Sequence, residues 1–366
     1  MKKSNFILVC IMAAFFFGMS FFCWGKEVSD YSDSERRVLA RFPELTEETV
    51  LSGKFMKNFE TYTLDQFPLR DSFRTIKSIA QLGLFRQKAN NDIYVADGYV
   101  AKMEYPLNEY MLENAGKKFQ YLYDTYMADS DVTLYFSIVP DKNYFLAKEN
   151  GYLSMDYDQF FEIMQQKTDY MQYIEIADAL SIGDYYRTDT HWRQECIQDV
   201  AAHIAESMGN TLEWQYEEVT VEQPFYGVYY GQSALPLKPD TLTYLNNEKL
   251  ESCTITSYDT GMPVEKKIYE VEELDGKDPY EMFLAGSDAL LVIDNPNATT
   301  DKELVVFRDS FASSLLPLLM ESYAKVTVID IRYISSAMLG NFVEFTNQDV
   351  LFLYSTLVLN SSTSFK

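Results

Sequence analysis

The sequence predicts an α/β protein built on a doubly wound, mainly parallel sheet. Three observations predict it: short apolar runs bounded by polar residues, amphipathic helical stretches between them, and a chain long enough to bury a large core. The predicted strands are 132–139, 172–176, 289–293, 304–307, 325–329 and 350–354. The predicted helices between them are 108–127, 157–169 and 192–208.

The net charge and the aromatic content of the chain indicate which kinds of partner it can bind. The 366 residues carry a formal net charge of −24, and an acidic protein repels phosphate backbones and anionic lipid headgroups. We therefore expect no nucleic acid as a partner. The chain contains 28 Tyr and 25 Phe. Tyrosine combines a flat apolar face with a polar tip, which suits a sugar-binding cleft, although tyrosines also fill cores.

Residues 1–25 predict a membrane segment. Lys2 and Lys3 precede an apolar run over 6–24, which is long enough to cross a bilayer as a helix. No small-x-small site suited to signal cleavage precedes Gly25. This favours an uncleaved single-pass anchor in the cell membrane with an extracytoplasmic domain. A cleaved signal and a secreted protein are the alternative.

The rest of the chain divides by its patterning. Polar sequence over 26–75 predicts a stalk with lead-in helices around 34–40 and 47–62. Residues 76–366 are predicted to form the main domain. Within it, Tyr-rich alternating segments such as 224–230 and 249–258 predict an inserted β-rich region at about 214–270. Such an insertion can serve as a lid or as a substrate wall.

The cysteines and histidines give no sign of a metal site. Cys10 and Cys23 lie in the apolar run, and Cys196 and Cys253 lie outside it. Two cysteines are weak grounds for a disulfide, and Cys196 is on an apolar helical stripe, so we expect a buried free thiol there. No Cys/His spacing is typical of zinc. The sequence predicts no metal and no cofactor.

The strongest local signal is a strand-to-helix turn. The buried run 304–307 is followed by Arg308, Asp309 and Ser310, and a helical stretch begins at about 312. Open α/β sheets bind ligands at the carboxyl ends of their strands, and amides at the start of the next helix can stabilise an oxyanion. Ser310 is therefore a candidate nucleophile. The competing interpretation is that Ser310 only caps the helix.

Asp189 and His191 form the second signal. Residues two apart in an extended segment point to the same side, so the carboxylate can orient the imidazole as a catalytic triad requires. A surface D-x-H in a loop is the alternative. His203 lies mid-helix without an acidic neighbour at this spacing, and we expect it to pack or to face solvent. A serine nucleophile needs a base, and of the two histidines His191 has the oriented acid.

These two motifs, Asp-Thr-His-Trp at 189–192 and Asp-Ser-Phe at 309–311, resemble the DHHW family and the related alginate O-acetyltransferase proteins, which are SGNH-hydrolase-like. The resemblance extends over roughly 55–360 and includes the segments 139–142, 225–227, 294–295 and 330–333. It implies a permuted motif order, in which the Asp–His pair precedes the serine. By this resemblance Ser310 is the nucleophile, His191 the base and Asp189 its partner.

Two residues differ from the pattern of these proteins. Thr190 stands where the DHHW motif has its first histidine, and Arg308 stands where a small residue is common before Asp-Ser.

Four further residues are predicted to bind substrate or the oxyanion: Arg332, Tyr333, Asp309 and Lys142. Arg332 follows a predicted strand, where a guanidinium can bind acyl or sugar oxygens. A structural salt bridge from Arg332 to Asp330 or Asp309 is the alternative. For Lys142, the alternative is that it caps the first strand.

The resemblance implies an extracytoplasmic O-acyltransferase, with acetyl as the acyl group, that modifies an exported polysaccharide through an acyl-enzyme. Proteins of this kind work beside a membrane-bound O-acyltransferase, which is the expected partner. A carbohydrate esterase with the same triad and a non-catalytic polysaccharide-binding or assembly protein are the alternatives.

Overall fold

The computed structural model describes residues 3–366. Lys2, one of the two lysines on which the predicted orientation of the membrane segment rests, lies outside the described residues. The chain divides into two compact units. The first comprises the residues up to Asn91 together with Tyr230–Leu237, and the second comprises Asp92–Tyr229 and Lys238–Lys366. The predicted boundary at 75/76 falls inside the first unit.

The first unit begins with a long apolar helix. Its elements are α1 (Lys3–Gly25), β1 (Tyr31–Ser32), β2 (Arg37–Val38), α2 (Glu47–Leu51), α3 (Lys54–Asp65) and α4 (Arg70–Ser78), which continues as a π-helix over Ile79–Leu84. Within α1, Asn5–Gly25 is long and apolar enough to span a membrane.

Two expectations for this unit are corrected. The predicted helix 34–40 is instead an antiparallel pair of β1 and β2, because Ser32 Oγ accepts from the Glu35 amide and supports a turn between them. The predicted helix 47–62 is interrupted at Gly53, whose φ of 73° is in the left-handed region. Glycine adopts this conformation without a steric penalty, so it ends α2 and allows α3 to begin.

The remaining elements complete the chain. The strands are β3 (Ile93–Ala96), β4 (Tyr99–Lys102), β5 (Thr133–Val139), β6 (Gln172–Tyr173), β7 (Glu217–Thr220), β8 (Thr243–Asn246), β9 (Thr254–Ser257), β10 (Val264–Lys266), β11 (Leu290–Asp294), β12 (Glu303–Arg308), β13 (Lys325–Ile329) and β14 (Asp349–Ser355). The α-helices are α5 (Glu109–Leu122), α6 (Lys142–Asn150), α7 (Tyr157–Lys167), α8 (Gln198–Ser207), α9 (Val228–Ser233), α10 (Glu248–Glu251), α11 (Ala312–Leu319) and α12 (Thr356–Leu359).

Eight strands form the central sheet, in the order β10-β9-β11-β13-β12-β14-β5-β6. The five strands from β13 to β6 are parallel, and β10, β9 and β11 add antiparallel strands at one edge. The predicted α/β class with a mainly parallel sheet is confirmed. β11, expected to be parallel, instead runs antiparallel to β13, because a continuous apolar run reports burial on both faces and not strand direction.

Both faces of the sheet are covered. Along β12, Leu304 and Val306 enter one apolar core, and Val305 and Phe307 enter the other, as the two-residue period of a strand requires. Residues of α8 and α11 belong to the first core and residues of α5 and α7 to the second. This is the doubly wound arrangement that the sequence predicts.

The predicted insertion at 214–270 has mixed content. β7 pairs with β8, and β9 and β10 extend the central sheet. The segment 224–230 is not a strand: it has one bridge, between Phe225 and Asp240, and then enters α9. The helix predicted at 192–208 is limited to α8, which a single 3-10 turn over Gln194–Cys196 precedes.

Candidate active site

Ser310 lies in the turn between β12 and α11, two residues before the helix begins. Because β12 runs between β13 and β14, this turn lies at the carboxyl end of a central parallel strand. The Ser310 side chain is partly exposed, whereas Arg308 and Asp309 before it are completely buried. Ser310 therefore occupies the edge of the sheet where open α/β proteins bind ligands.

The structure brings Ser310, His191 and Asp189 into one hydrogen-bonded chain. The distance from Ser310 Oγ to His191 Nε2 is 2.8 Å, and that from His191 Nδ1 to Asp189 Oδ1 is 2.7 Å. Asp189 is completely buried and His191 almost so. A carboxylate on Nδ1 favours the tautomer that carries its proton there, which leaves Nε2 to accept the hydroxyl proton. This arrangement is capable of general-base chemistry on Ser310.

Asp189 is itself held by backbone groups. Its Oδ1 also accepts from the His191 amide at 3.1 Å, and its Oδ2 accepts from the Val228 amide at 2.8 Å. An added Cβ at Gly227 would lie 2.4 Å from the backbone nitrogen of Asp189. The 225–227 segment therefore packs directly against the orienting acid, and this approach requires glycine.

The backbone before Asp189 is held by Asp240, a residue that the sequence analysis does not identify. The Asp240 carboxylate accepts from the amides of Arg187 and Thr188 at 2.8 and 2.7 Å, and from Thr188 Oγ1 at 2.5 Å. Thr188 Oγ1 in turn accepts from the Gly227 amide at 3.1 Å. Asp240 and its partners are more than fifty positions apart in the chain, so no local pattern could have revealed it.

Tyr280 stacks on the face of the His191 imidazole. The two ring centroids are 3.8 Å apart and the rings are inclined by 3°. The Tyr280 hydroxyl lies 2.8 Å from Ser314 Oγ, and burial raises the pKa of Tyr280, which keeps this hydroxyl neutral. The stacked ring restricts the tilt of the imidazole. Tyr280 follows Asp278-Pro279 in a 3-10 turn, and its sequence context carries no sign of this role.

The expectation that amides after Ser310 face an oxyanion is wrong for the first three of them. The Phe311 amide donates to Asp309 Oδ1 at 3.0 Å. The amides of Ala312 and Ser313 donate to the backbone carbonyls of Asp309 and Ser310, each at 3.2 Å. Since the turn itself engages these donors, they are not directed at a bound acyl group.

Asp309 and Arg308 hold the turn from inside the protein. Asp309 Oδ2 accepts from the amide and the hydroxyl of Ser355, both at 2.7 Å. Its complete burial does not allow the substrate contact that the sequence suggests. Arg308 donates to Ser313 Oγ at 2.6 Å and to the Gly286 carbonyl at 2.9 Å. Burial lowers the pKa of Arg308 below its ordinary value.

Arg332 forms a salt bridge with Asp330, which is the alternative that the sequence allows. Its Nε and Nη2 donate to the carboxylate at 2.9 and 2.6 Å. Although burial acts to lower it, the hydrogen bonds and charge of Asp330 raise the pKa of Arg332. Its guanidinium lies 5.4 Å from the ring centroid of Tyr333, which is exposed. Within residues 3–366, no hydrogen bond joins Arg332 or Tyr333 to Ser310.

Lys142 contacts the backbone of the segment that precedes His191. It is the first residue of α6 and is almost completely buried. Its Nζ donates to the carbonyls of Tyr186 and Arg187 at 3.0 and 3.2 Å, and lies 5.0 Å from the ring centroid of Tyr229. Burial lowers the pKa of Lys142 to about 7, although the neighbouring carboxylates, Asp189 foremost, act to raise it.

The other residues considered from the sequence lie apart from this chemistry. His203 is exposed on α8, with Nε2 2.9 Å from the Glu175 carbonyl. Cys196 is a free thiol that is only partly buried, and Cys253 is a buried one. Burial raises the pKa of each to about 11. Among residues 3–366, no group of three or more His, Cys, Asp or Glu side chains is arranged to hold a metal ion.

The segment that carries this site matches a protein-family model. Residues 170–329 match the family model described as DHHW protein. The DHHW resemblance is confirmed. The matched segment contains Asp189, His191 and Ser310, together with Gly227, Asp240 and Tyr280. A search of the curated proteins finds no match to the chain.

Solved structures share the fold of this DHHW-like chain. A DHHW family protein from Eubacterium siraeum aligns with a TM-score of 0.60 and 20% identity, over 75% of this chain and 94% of that one. PatB1 from Bacillus cereus aligns with a TM-score of 0.57 and 18% identity, over 74% and 97%. PatB1 with a sulfonyl adduct gives 0.53 and 17%, over 73% and 97%. These similarities establish a common SGNH-like α/β fold.

Proposed function

We propose that the protein is an extracytoplasmic serine O-acyltransferase that transfers acetyl groups to an exported polysaccharide. The observation that carries the proposal is the hydrogen-bonded chain from Ser310 Oγ through His191 to the buried Asp189. A partly exposed hydroxyl next to an oriented imidazole is the arrangement that covalent acyl transfer uses.

In the first half-reaction, Ser310 Oγ attacks the carbonyl carbon of an acetyl donor while His191 Nε2 takes the hydroxyl proton. The tetrahedral intermediate then collapses, the bond to the leaving group breaks, and the imidazolium returns the proton to that group. Ser310 is left as an acetyl ester. Asp189 contributes by stabilising the imidazolium, since its carboxylate lies 2.7 Å from Nδ1.

In the second half-reaction, a sugar hydroxyl replaces the leaving group. His191 takes the proton of this hydroxyl, the sugar oxygen attacks the acetyl carbon, and the bond to Ser310 Oγ breaks. The imidazolium then restores the Ser310 proton. The products are an acetylated sugar and free enzyme, so no net charge or electron is gained or lost.

Charge and the apolar helix support the rest of the proposal. Residues 92–366 contain 18 basic and 45 acidic residues, a balance of −27, which favours a neutral or cationic glycan over an anionic one. The membrane-length helix Asn5–Gly25 supports a tethered domain. The proposed partner is a membrane-bound O-acyltransferase that supplies the acetyl group to the same side of the membrane.

The first test is formation of the acyl-enzyme by the full chain in detergent, with p-nitrophenyl acetate as the donor. We expect an acetyl adduct on Ser310 in the mass spectrum, and Ser310→Ala to lose it together with roughly 10⁴-fold of the turnover. Ser207→Ala, at an exposed position on α8, is the matched control and should retain both. Full turnover in Ser310→Ala would disprove the assignment.

The second test separates transferase from esterase. The acetyl-enzyme is offered neutral oligosaccharides, and the acetylated sugar is compared with released acetate. A transferase gives acetylated sugar in amounts that rise with acceptor concentration, whereas acetate alone identifies an esterase. A sulfonyl fluoride, the reagent class suggested by the sulfonyl adduct of PatB1, should label Ser310 and block both products. Glycan binding without any labelling would instead identify a non-catalytic protein.

A further inference from the structure

The helical part of the first unit has almost no apolar core. Between Leu39 and Ile93, Pro68 is the only buried residue with an apolar side chain. No residue of α2 is buried, only Asp65 is buried in α3, and only Ser78 in α4. Short helices are marginal in water unless they pack an apolar face. These helices therefore require a surface to cover them.

The helix over 70–84 is amphipathic with its polar side inward. Arg70, Arg74 and Ser78 recur every four residues and so share one face. Arg70 and Arg74 pair with Glu35. Arg74 and Ser78 also donate to the carbonyls of Gly231 and Ser233, at 2.8 and 2.7 Å. All of these partners belong to the first unit.

The opposite side of the same helix is apolar and exposed. Phe73, Ile76, Ile79 and Leu84 follow one another at intervals of three, three and five residues, which places them on one side of a helix whose last turns are π-helical. We call these four residues the outer stripe. Ile76 is 61% exposed and Leu84 is 75% exposed. In water this orientation is unfavourable, because soluble helices turn their apolar side inward.

A second apolar surface accompanies the outer stripe. Phe42 contacts the rings of Phe55, Phe59 and Tyr62 at centroid distances between 5.4 and 6.3 Å. Phe42 itself remains exposed, and Leu45, Leu51, Met56 and Leu64, which lie in the same stretch of the chain, are exposed as well. Single exposed apolar residues are ordinary, but this many in one short region mark an interaction surface.

The N-terminal helix α1 indicates what covers these exposed apolar residues. Asn5–Gly25 belongs to the same unit, is long enough to cross a bilayer, and none of it is buried in the protein. Trp24, at its end, is highly exposed and is a residue type that is enriched at membrane interfaces. Only residues 26–41 separate this helix from Phe42, so the apolar surface starts within reach of the bilayer boundary.

The net charge of residues 26–91 is compatible with contact between this segment and lipid. Residues 26–91 contain eleven basic and ten acidic residues, whereas the rest of the ectodomain carries the balance of −27 given above. An anionic membrane surface repels the acidic part, but a nearly neutral segment can approach it closely. The first unit is therefore the part of the ectodomain that can lie against lipid.

We propose that the outer stripe and the apolar surface around Phe42 lie in the headgroup region of the bilayer that α1 crosses. The 26–91 segment then lies on the membrane surface and is not a stalk surrounded by solvent. The inward salt bridges of Arg70 and Arg74 hold the helix with its apolar side toward lipid, in the way that interfacial amphipathic helices bury one face. This inference does not depend on the proposed acyl transfer.

The test is photo-crosslinking to lipid. The full chain carries p-benzoylphenylalanine at Ile76 or at Leu84 and is reconstituted in phosphatidylcholine vesicles. Matched controls place the same residue at Lys77, which is exposed on the same helix outside the outer stripe, and at Met262, an exposed apolar residue of the second unit. After irradiation, we expect lipid adducts at 76 and 84 in about fivefold higher yield than at either control.

Two results would overturn the proposal. The first is a lipid yield at Ile76 and Leu84 that does not exceed the yield at Met262. The second is a dominant crosslink from these positions to another copy of the chain or to a different protein, because the surface would then be a protein interface. Limited proteolysis of each labelled protein shows that it is folded and makes a low yield interpretable.

Discussion

The two halves of the candidate site are built in different ways. Ser310 is held by its own turn, in which Asp309 bonds the amide of Phe311 and anchors the turn to Ser355 at the end of the neighbouring strand. The segment before His191 belongs to no helix or strand. Its support comes from Asp240 and from three other residues: Lys142, Val228 and Tyr280.

Ser310 is thus positioned mainly by its own turn, whereas His191 is positioned by residues that are distant in the chain. The hydroxyl half should tolerate loss of one distant partner, because the bonds within the turn, from the amides of Phe311, Ala312 and Ser313, would remain. In the imidazole half, changing residues that never touch substrate should displace His191 and lower the activity. Changes to Asp240 and Gly227 should therefore cost more activity than a change to Arg308, which supports the hydroxyl half.

Asp240→Ala should give the largest loss. It removes the acceptor for the amides of Arg187 and Thr188 and for the Thr188 hydroxyl. Thr188 is buried, and a buried donor without a partner costs about 1–3 kcal/mol. We expect kcat/KM for p-nitrophenyl acetate to fall roughly 10²-fold, because the imidazole loses its position. Asp301→Ala, at an exposed position, is the control. A change of less than twofold in Asp240→Ala would show that Asp240 does not hold the segment.

Gly227→Ala should have the next largest effect. The added Cβ would lie 2.4 Å from Asp189, so either Asp189 or the 225–227 segment must shift. We expect kcat/KM to fall roughly 10- to 100-fold, measured by the same hydrolysis. Gly83→Ala is the matched control, since a Cβ there meets nothing within 4 Å. Retained activity in Gly227→Ala would mean that the acid is not fixed by this contact.

Arg308→Met examines the hydroxyl half. It removes donors to Ser313 and to the Gly286 carbonyl, but it also removes a buried charge. We expect the free energy of unfolding in urea to fall by about 1–3 kcal/mol. Activity should stay within about threefold of the wild type, because Asp309 still holds the turn. A hundredfold loss of kcat/KM would show that the hydroxyl half depends on a supporting residue as strongly as the imidazole half does.

Lys142→Met should change how the stability of the protein depends on pH. Burial lowers the pKa of Lys142 from 10.5 to about 7. Between these values the unfolded chain binds one more proton than the folded chain, so the wild type gains stability as pH rises, by up to about 1.4 kcal/mol per unit. The variant lacks this titration. Urea unfolding from pH 6 to 9 should therefore show a stability difference that grows in favour of the wild type above pH 7.

Lys148→Met is the control for this pH series. Lys148 is exposed on the same helix, so the difference from wild type should not change with pH. A pH-independent difference for Lys142→Met would mean that its ammonium is not desolvated in the folded protein.

The sequence was informative where structure is local. The apolar runs predict the central strands because burial on both faces demands continuous apolar side chains. The strand-turn-helix around Ser310 is predictable for the same reason, as all its signals lie within about ten residues. The two-residue spacing of Asp189 and His191 likewise predicts that one side chain orients the other.

The sequence was less informative where partners are distant or where direction matters. The antiparallel course of β11 could not be predicted, since an apolar run has the same composition in either direction. The turn at Arg36 replaced a predicted helix because side-chain hydrogen bonds to the backbone compete with helix formation. Lys142 was identified as a candidate, but its role as a support for the carbonyls of Tyr186 and Arg187 required the tertiary structure.

By itself, the sequence determined the layered α/β fold, the membrane-length apolar helix, and the hydroxyl, imidazole and carboxylate that the candidate chemistry needs. Only the tertiary structure decided that Asp240, Gly227 and Tyr280 hold that imidazole. It also showed that the helix over 70–84 turns its apolar side outward. The physical reason is one of range: strand and turn formation depend on neighbours in the chain, whereas hydrogen bonds and ring stacking depend on residues that meet only after folding.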